Sequence, residues 1–183
     1  MAKNIALYSA GQSVVDAYND GPLNAMCGTF DLTVSVNYAN VYLPSADWMI
    51  AGDDLLYTQQ YNKPHRGYVV LGKWIPLVHQ VDTRQCVEVI DWSSVTGPCA
   101  TSFPKALSFI CDRFVDRGTH VWVFGCDWTA DPVIGGHRHD WGERRERRER
   151  KQTYDFIDRI RCKGGIVYRQ RTCPLHWSVF DQE

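Results

Sequence analysis

The stretch from Cys99 to Trp141, CATSFPKALSFICDRFVDRGTHVWVFGCDWTADPVIGGHRHDW, leaves few ways to fold. Ala106, Leu107, Ile110, Cys111 and Phe114 recur at three-and-four spacing, which predicts a helix, and Gly118 stands where its C-terminal cap is expected. VWVFG then predicts a buried strand, being short, apolar and richer in β-branched and aromatic residues than a helix of that kind. Polar groups collect at the turns on either side. Open α/β sheets take their ligands at the carboxyl ends of their strands, so Asp127 reads either as a ligand-binding carboxylate or as the cap of a turn.

Upstream, NIALYSAGQSVVDAY predicts a strand that turns at Ser9-Ala10-Gly11-Gln12-Ser13 into a short helix. A glycine at such a turn lets backbone N–H groups approach a phosphate or ribose, and the helix dipole favours an anion there. With one glycine the turn falls short of the dinucleotide fingerprint, and a tight turn without a ligand has the same sequence. FDLTVSVNYA and SADWMIAGDD predict two further strands ending in Asn37 and in Asp53-Asp54, with a turn at Leu43-Pro44-Ser45 between them. If these strands are parallel neighbours, Gly11, Asn37 and Asp53 line one edge of a sheet.

Residues 55–98 read as irregular structure with one or two strands, GYVVLGKWIPL and CVEVIDWSSV, because Pro64, Gly67, Gly72 and Pro76 break helical continuity. Trp74 and Trp92 are expected in the core rather than stacked on a sugar or base. The C-terminal third predicts a helix from Glu143 through TYDFIDRIRCK, then Gly164-Gly165, a strand GIVYRQ and a tail. Tyr154, Ile157 and Ile160 give the later part of that helix an apolar side. The earlier part has none, since ERRERRERK holds six positive and three negative charges over residues 143–151. It is either a solvated surface helix steadied by Glu–Arg pairs or a set of arginines that hold phosphates.

The chain of 183 residues suits a single α/β domain, 1–183, with a mainly parallel sheet flanked by helices. Its seven cysteines form no CxxC pair and suggest neither a zinc site nor a disulfide framework, so they are expected to be reduced. No apolar run approaches the roughly 20 residues that span a bilayer, and the N-terminus lacks the apolar stretch of a signal peptide. No membrane partner and a cytoplasmic location are therefore expected. The sequence sets no oligomeric state.

The order of an SAGQSV turn, a strand ending VNYA, a strand ADWMIAGD and then TSFPKALSFICDRFVDRGTHVWVFGCDW resembles a compact group of Rossmann-like glycosyltransferases. It is most similar to the small bacterial sialyltransferases, the motility-accessory glycosyltransferase-like proteins and their phage-encoded relatives. The similarity runs over roughly residues 3 to 162. Gln12 stands where the family has a proline before the serine, and the chain is shorter than typical sialyltransferases. The resemblance implies that Gly11, Gln12 and Ser13 contact a nucleotide, that Asn37 reaches its ribose or phosphate, and that Asp53 lies nearby. It further implies that Thr101 and Ser102 approach the phosphate, that Gly125, Cys126 and Asp127 line base and ribose, and that a histidine general base follows. His139 and His137 both occupy that segment, and His139, beside Asp140, is the first choice.

Glycosyl transfer without a metal needs donors that hold the leaving phosphate and a base that takes the acceptor's proton. Arg138, Arg144 and Arg145 would serve the first need and a histidine the second. A nucleotide sugar is then the co-substrate, and no cofactor is firmly implied. If the chain is phage-encoded it would act in the host cytoplasm, where modified DNA is a candidate acceptor for a basic flank of Arg144, Arg145, Arg147 and Arg148. Two other readings compete with this one. His137, His139 and Asp140, with Asp127 or Asp131, would suit a divalent metal in a hydrolase or nuclease. A non-catalytic module that binds nucleotide or nucleic acid would use the same turn and the same arginines.

Overall fold

The computed structural model describes residues 3–9, 11, 14, 29–37, 39, 46–51, 68–72, 86–92, 102–126, 143–172 and 176–180. Within them, eight strands and two long helices are built in the chain order β1 (Asn4–Tyr8), β2 (Leu32–Val36), β3 (Trp48–Ala51), β4 (Tyr68–Gly72), β5 (Cys86–Ile90), α1 (Ser102–Arg113), β6 (His120–Phe124), α2 (Glu143–Cys162), β7 (Ile166–Thr172) and β8 (His176–Val179). The strands form one sheet in the order β5-β4-β3-β2-β1-β6-β7-β8. Every neighbouring pair is parallel except β7 with β8.

Alternation along the strands separates two faces. Ile5, Leu7, Val34, Val36, Ile50, Val121, Val123 and Val167 join the core with Leu107, Ile110 and Cys111 of α1 and Phe156, Ile157 and Ile160 of α2. Trp48 ties β3 to α1, its ring 5.2 Å from that of Phe109 and 5.8 Å from that of Phe114. On the other face Tyr8 stacks on Phe124 and Tyr168 on Trp122, whose indole N–H donates to Asn4 Oδ1. Both faces of the central strands are thus buried, the condition under which parallel sheets occur.

The helices start and stop for different reasons. Gly164 has φ 80°, its N–H donates to Arg161 O at 2.8 Å, and the Gly165 N–H donates to Ile160 O at 3.0 Å. These paired bonds end α2 in a Schellman motif. Gly118 corrects its sequence assignment: α1 ends at Arg113, and Gly118, at φ 86°, sits in the turn before β6, donating its N–H to Gly164 O at 2.9 Å. The glycine is favoured by the left-handed backbone of that turn, where a side chain would meet nothing within 4 Å, and not by capping α1.

Strands β4 and β5 realise the two runs expected within residues 55–98, and Trp92, 5% exposed, is a core residue as expected. Trp74 lies outside the described residues. Strand β8 was not anticipated from the sequence, where its segment reads as tail. Cys111 is a free, buried thiol, Cys162 is free and exposed, and Cys126 is buried. Burial pushes the Cys111 thiol up, against the opposing pull of Lys163 and Arg159, so it stays neutral in the core.

Candidate functional site at the carboxyl edge

The chain lays β1 to β5 outward on one side, then α1 carries it back across β3 and β2 to place β6 on the other side of β1. Consecutive segments therefore leave β1 and β6 in opposite directions, and the carboxyl ends of these two neighbours define the candidate site, at the position where open α/β sheets hold ligands.

Its floor is backbone. The Ser9 N–H donates to Phe124 O at 2.9 Å, joining the ends of the two strands one step beyond their last register pair, Tyr8 with Phe124. Gly11 follows, and the Val14 N–H donates to its carbonyl at 3.2 Å, closing the turn that leads off β1. Gly125 faces this turn at φ 72°. A Cβ there would lie 2.6 Å from Ser9 O, 2.7 Å from Val14 Cγ2 and 3.1 Å from Gly11 N. The two strand-end turns come together only because position 125 has no side chain.

Asn37 ends β2, one strand further along the same edge, and adopts φ 52°, a left-handed conformation that asparagine tolerates better than most residues. The sequence expectation that β1, β2 and β3 are parallel neighbours holds, so Gly11 and Asn37 share an edge with the end of β3 at Ala51. Cys126 follows Gly125 at this edge and is 8% exposed. Ser102 is the first residue of α1. A helix joining parallel strands runs against them, so the N-termini of α1 and α2 both point to the carboxyl edge. Gln12, Ser13, Asp53, Thr101, Asp127, Asp131, His137, Arg138, His139 and Asp140 lie outside the described residues.

The opposite edge is closed. Asp31 Oδ2 accepts from the Asn4 N–H at 2.7 Å, and Asp47 Oδ2 accepts from the Thr33 N–H and hydroxyl at 2.7 and 2.8 Å. Asp116 Oδ1 accepts from the Thr119 hydroxyl at 2.7 Å. These aspartates precede their strands and are occupied with turn and strand groups.

Helix α2 explains the charged run. Twenty residues at 1.5 Å each give about 30 Å of helix, whereas a seven-residue strand such as β7 covers about 23 Å. With its C-terminus tied at the amino edge, the helix exceeds the length of β7 by about 7 Å at its N-terminal end. Arg147 and Arg148 are exposed, whereas Glu149 is 7% exposed and Thr153 fully buried. Arg144 and Arg145 lie in the first turn. The apolar side expected from Tyr154, Ile157 and Ile160 is present, with Phe156 added and Tyr154 only half-buried.

Among the described residues no group of three or more His, Cys, Asp or Glu side chains is arranged to hold a metal ion, and no helix is long and apolar enough to cross a membrane. No protein-family model, curated protein or solved structure shows significant similarity to the chain. Gln170, near the end of β7, is the polar residue that sequence reading passed over. The signal was its place in GIVYRQ, where a two-residue period sets it on the side of Tyr168.

Proposed function

We propose that this is a Rossmann-like nucleotide-binding domain that takes a nucleotide sugar at the carboxyl edge of its sheet and transfers the glycosyl group. The reversal of strand order at β1 and β6, with Gly125 packed on Ser9 and Gly11, is the observation that carries this reading. Glycines at such a junction let main-chain N–H groups reach a phosphate that side chains would hold off.

In the transfer, an imidazole of His139 or His137 takes the proton of an acceptor hydroxyl as its oxygen bonds to the anomeric carbon. The bond from that carbon to the nucleotide phosphate breaks and the phosphate leaves with the electron pair, its charge met by Arg138, Arg144 and Arg145. Arg147 and Arg148, exposed in the N-terminal half of α2, favour a polyanionic acceptor such as modified DNA.

A thermal-shift panel of nucleotides and nucleotide sugars tests the reading. A ligand at a hundred times its Kd adds about 2.7 kcal/mol of stability, which for a domain of this size raises Tm by about 5–10 °C. No shift with any member of the panel would sink the proposal.

A further inference from the structure

Gln170 is 4% exposed, and neither its Oε1 nor its Nε2 has a hydrogen-bond partner among the described residues. A buried carboxamide with donor and acceptor both unmet costs more than an apolar side chain of the same shape, since each unpaired group carries its desolvation penalty. Ser108 and Thr153 are also buried without partners, but each presents a single hydroxyl in a helix rather than a planar donor–acceptor pair.

Two further features set Gln170 apart. The register of β7 against β8 runs from Gln170 with Trp177 to Thr172 with His176, so two steps on β7 answer one on β8. That irregularity begins at Gln170, and β-bulges beside sites re-aim side chains. By alternation from Tyr168, Gln170 also shares the face of Phe124, one step beyond the Val123–Arg169 pair and one residue before Gly125. It therefore lies at the carboxyl edge, two strands from β1 on the side away from Asn37. Three interstrand spacings, about 14 Å in all, separate β2 from β7. An extended nucleotide sugar bound across the β1–β6 site reaches one strand with its nucleoside and the other with its glycosyl group.

Resting on the proposed nucleotide-sugar site, we infer that Gln170 is the residue that recognises the transferred glycosyl group, its carboxamide accepting from one sugar hydroxyl and donating to another. The bound sugar then supplies the two partners that the protein withholds.

The test measures affinities of the full chain for UDP-glucose, GDP-mannose and CMP-sialic acid, each against its parent nucleotide, in the wild type, Gln170→Met and Gln170→Glu. The wild type is expected to prefer at least one nucleotide sugar over its nucleotide by about tenfold or more, the scale of one to two hydrogen bonds. Gln170→Met removes that preference and leaves the parent nucleotide's affinity unchanged. Gln170→Glu, isosteric but without the amide donor, removes part of it. The unliganded Met variant melts at or above the wild-type temperature, because it loses no hydrogen bond and sheds an unpaired amide.

An unchanged preference in Gln170→Met overturns the inference and leaves the nucleotide-sugar site standing. Equal affinity of the wild type for nucleotide and nucleotide sugar also overturns it, while nucleotide binding survives. A lower melting temperature for the unliganded Met variant overturns it by making the amide part of the core. No binding of any probe by the wild type overturns both readings.

Discussion

Gly125 and Gly118 are both left-handed, at φ 72° and 86°, yet a side chain would meet different surroundings at each. A Cβ at Gly118 has nothing within 4 Å, whereas one at Gly125 runs into Ser9 O and Val14 Cγ2. Gly118→Ala is therefore expected to cost only the backbone term, about 1–2 kcal/mol. Gly125→Ala adds overpacking of about 1–3 kcal/mol, because two of its neighbours are backbone and cannot rotate away. Urea denaturation of the two variants measures the difference. Nucleotide binding should fall in Gly125→Ala alone, and equal losses of stability would show that the strand-end turns are not in contact. The sequence marks both glycines but does not distinguish them, since what separates their roles is the approach of Ser9, Gly11 and Val14 from more than 100 positions away.

At the scale of elements, what was legible was what a short window contains. VWVFG, LTVSV and NIALY are short segments whose apolar and β-branched residues read as strands, and Tyr154, Ile157 and Ile160 make one stripe on a helix. β8 was not legible, because four residues, HWSV, pair antiparallel at the sheet edge without a pattern of their own. The charged half of α2 was legible as charge but not as geometry, since which of its residues are buried, Glu149 but not Arg147 or Arg148, depends on what packs beside the helix. The two halves should accordingly respond differently to substitution. Ile157→Ala, at a fully buried position, is expected to cost about 2–5 kcal/mol. Arg147→Ala with Arg148→Ala, both exposed, should stay within about 0.5 kcal/mol of wild type. The same double variant should weaken retention on DNA and flatten its salt dependence by about two charges. Unchanged retention would remove DNA from the proposal while leaving the nucleotide site untouched.

The whole molecule is polar along its strands. At the amino edge Asp31, Asp47 and Asp116 satisfy strand and turn groups, and Gly118, Gly164 and Gly165 lock α2 to the turn before β6. At the carboxyl edge a glycine-dependent contact joins the ends of β1 and β6 at the reversal of strand order, and a buried carboxamide, unpaired among the described residues, lies on β7, two strands from β1. This polarity was only partly legible, because it rests on β1 lying between β2 and β6, and Asn37 and Gly125 come to share one edge only once the sheet is ordered. It predicts an asymmetric response to ligand. Hydrogen exchange followed with and without a bound nucleotide should slow at Gly11, Val14 and Gly125, whose amides border the candidate site. It should not change at Asp31, Gly118 or Ile166, which donate to Asn4, Gly164 and Thr119 at the far edge. Global stabilisation by a ligand slows only amides that exchange through complete unfolding, so the comparison belongs to amides that open locally. Protection centred on the amino edge would place the ligand at the wrong end of the sheet and overturn the site, whatever the size of the thermal shift.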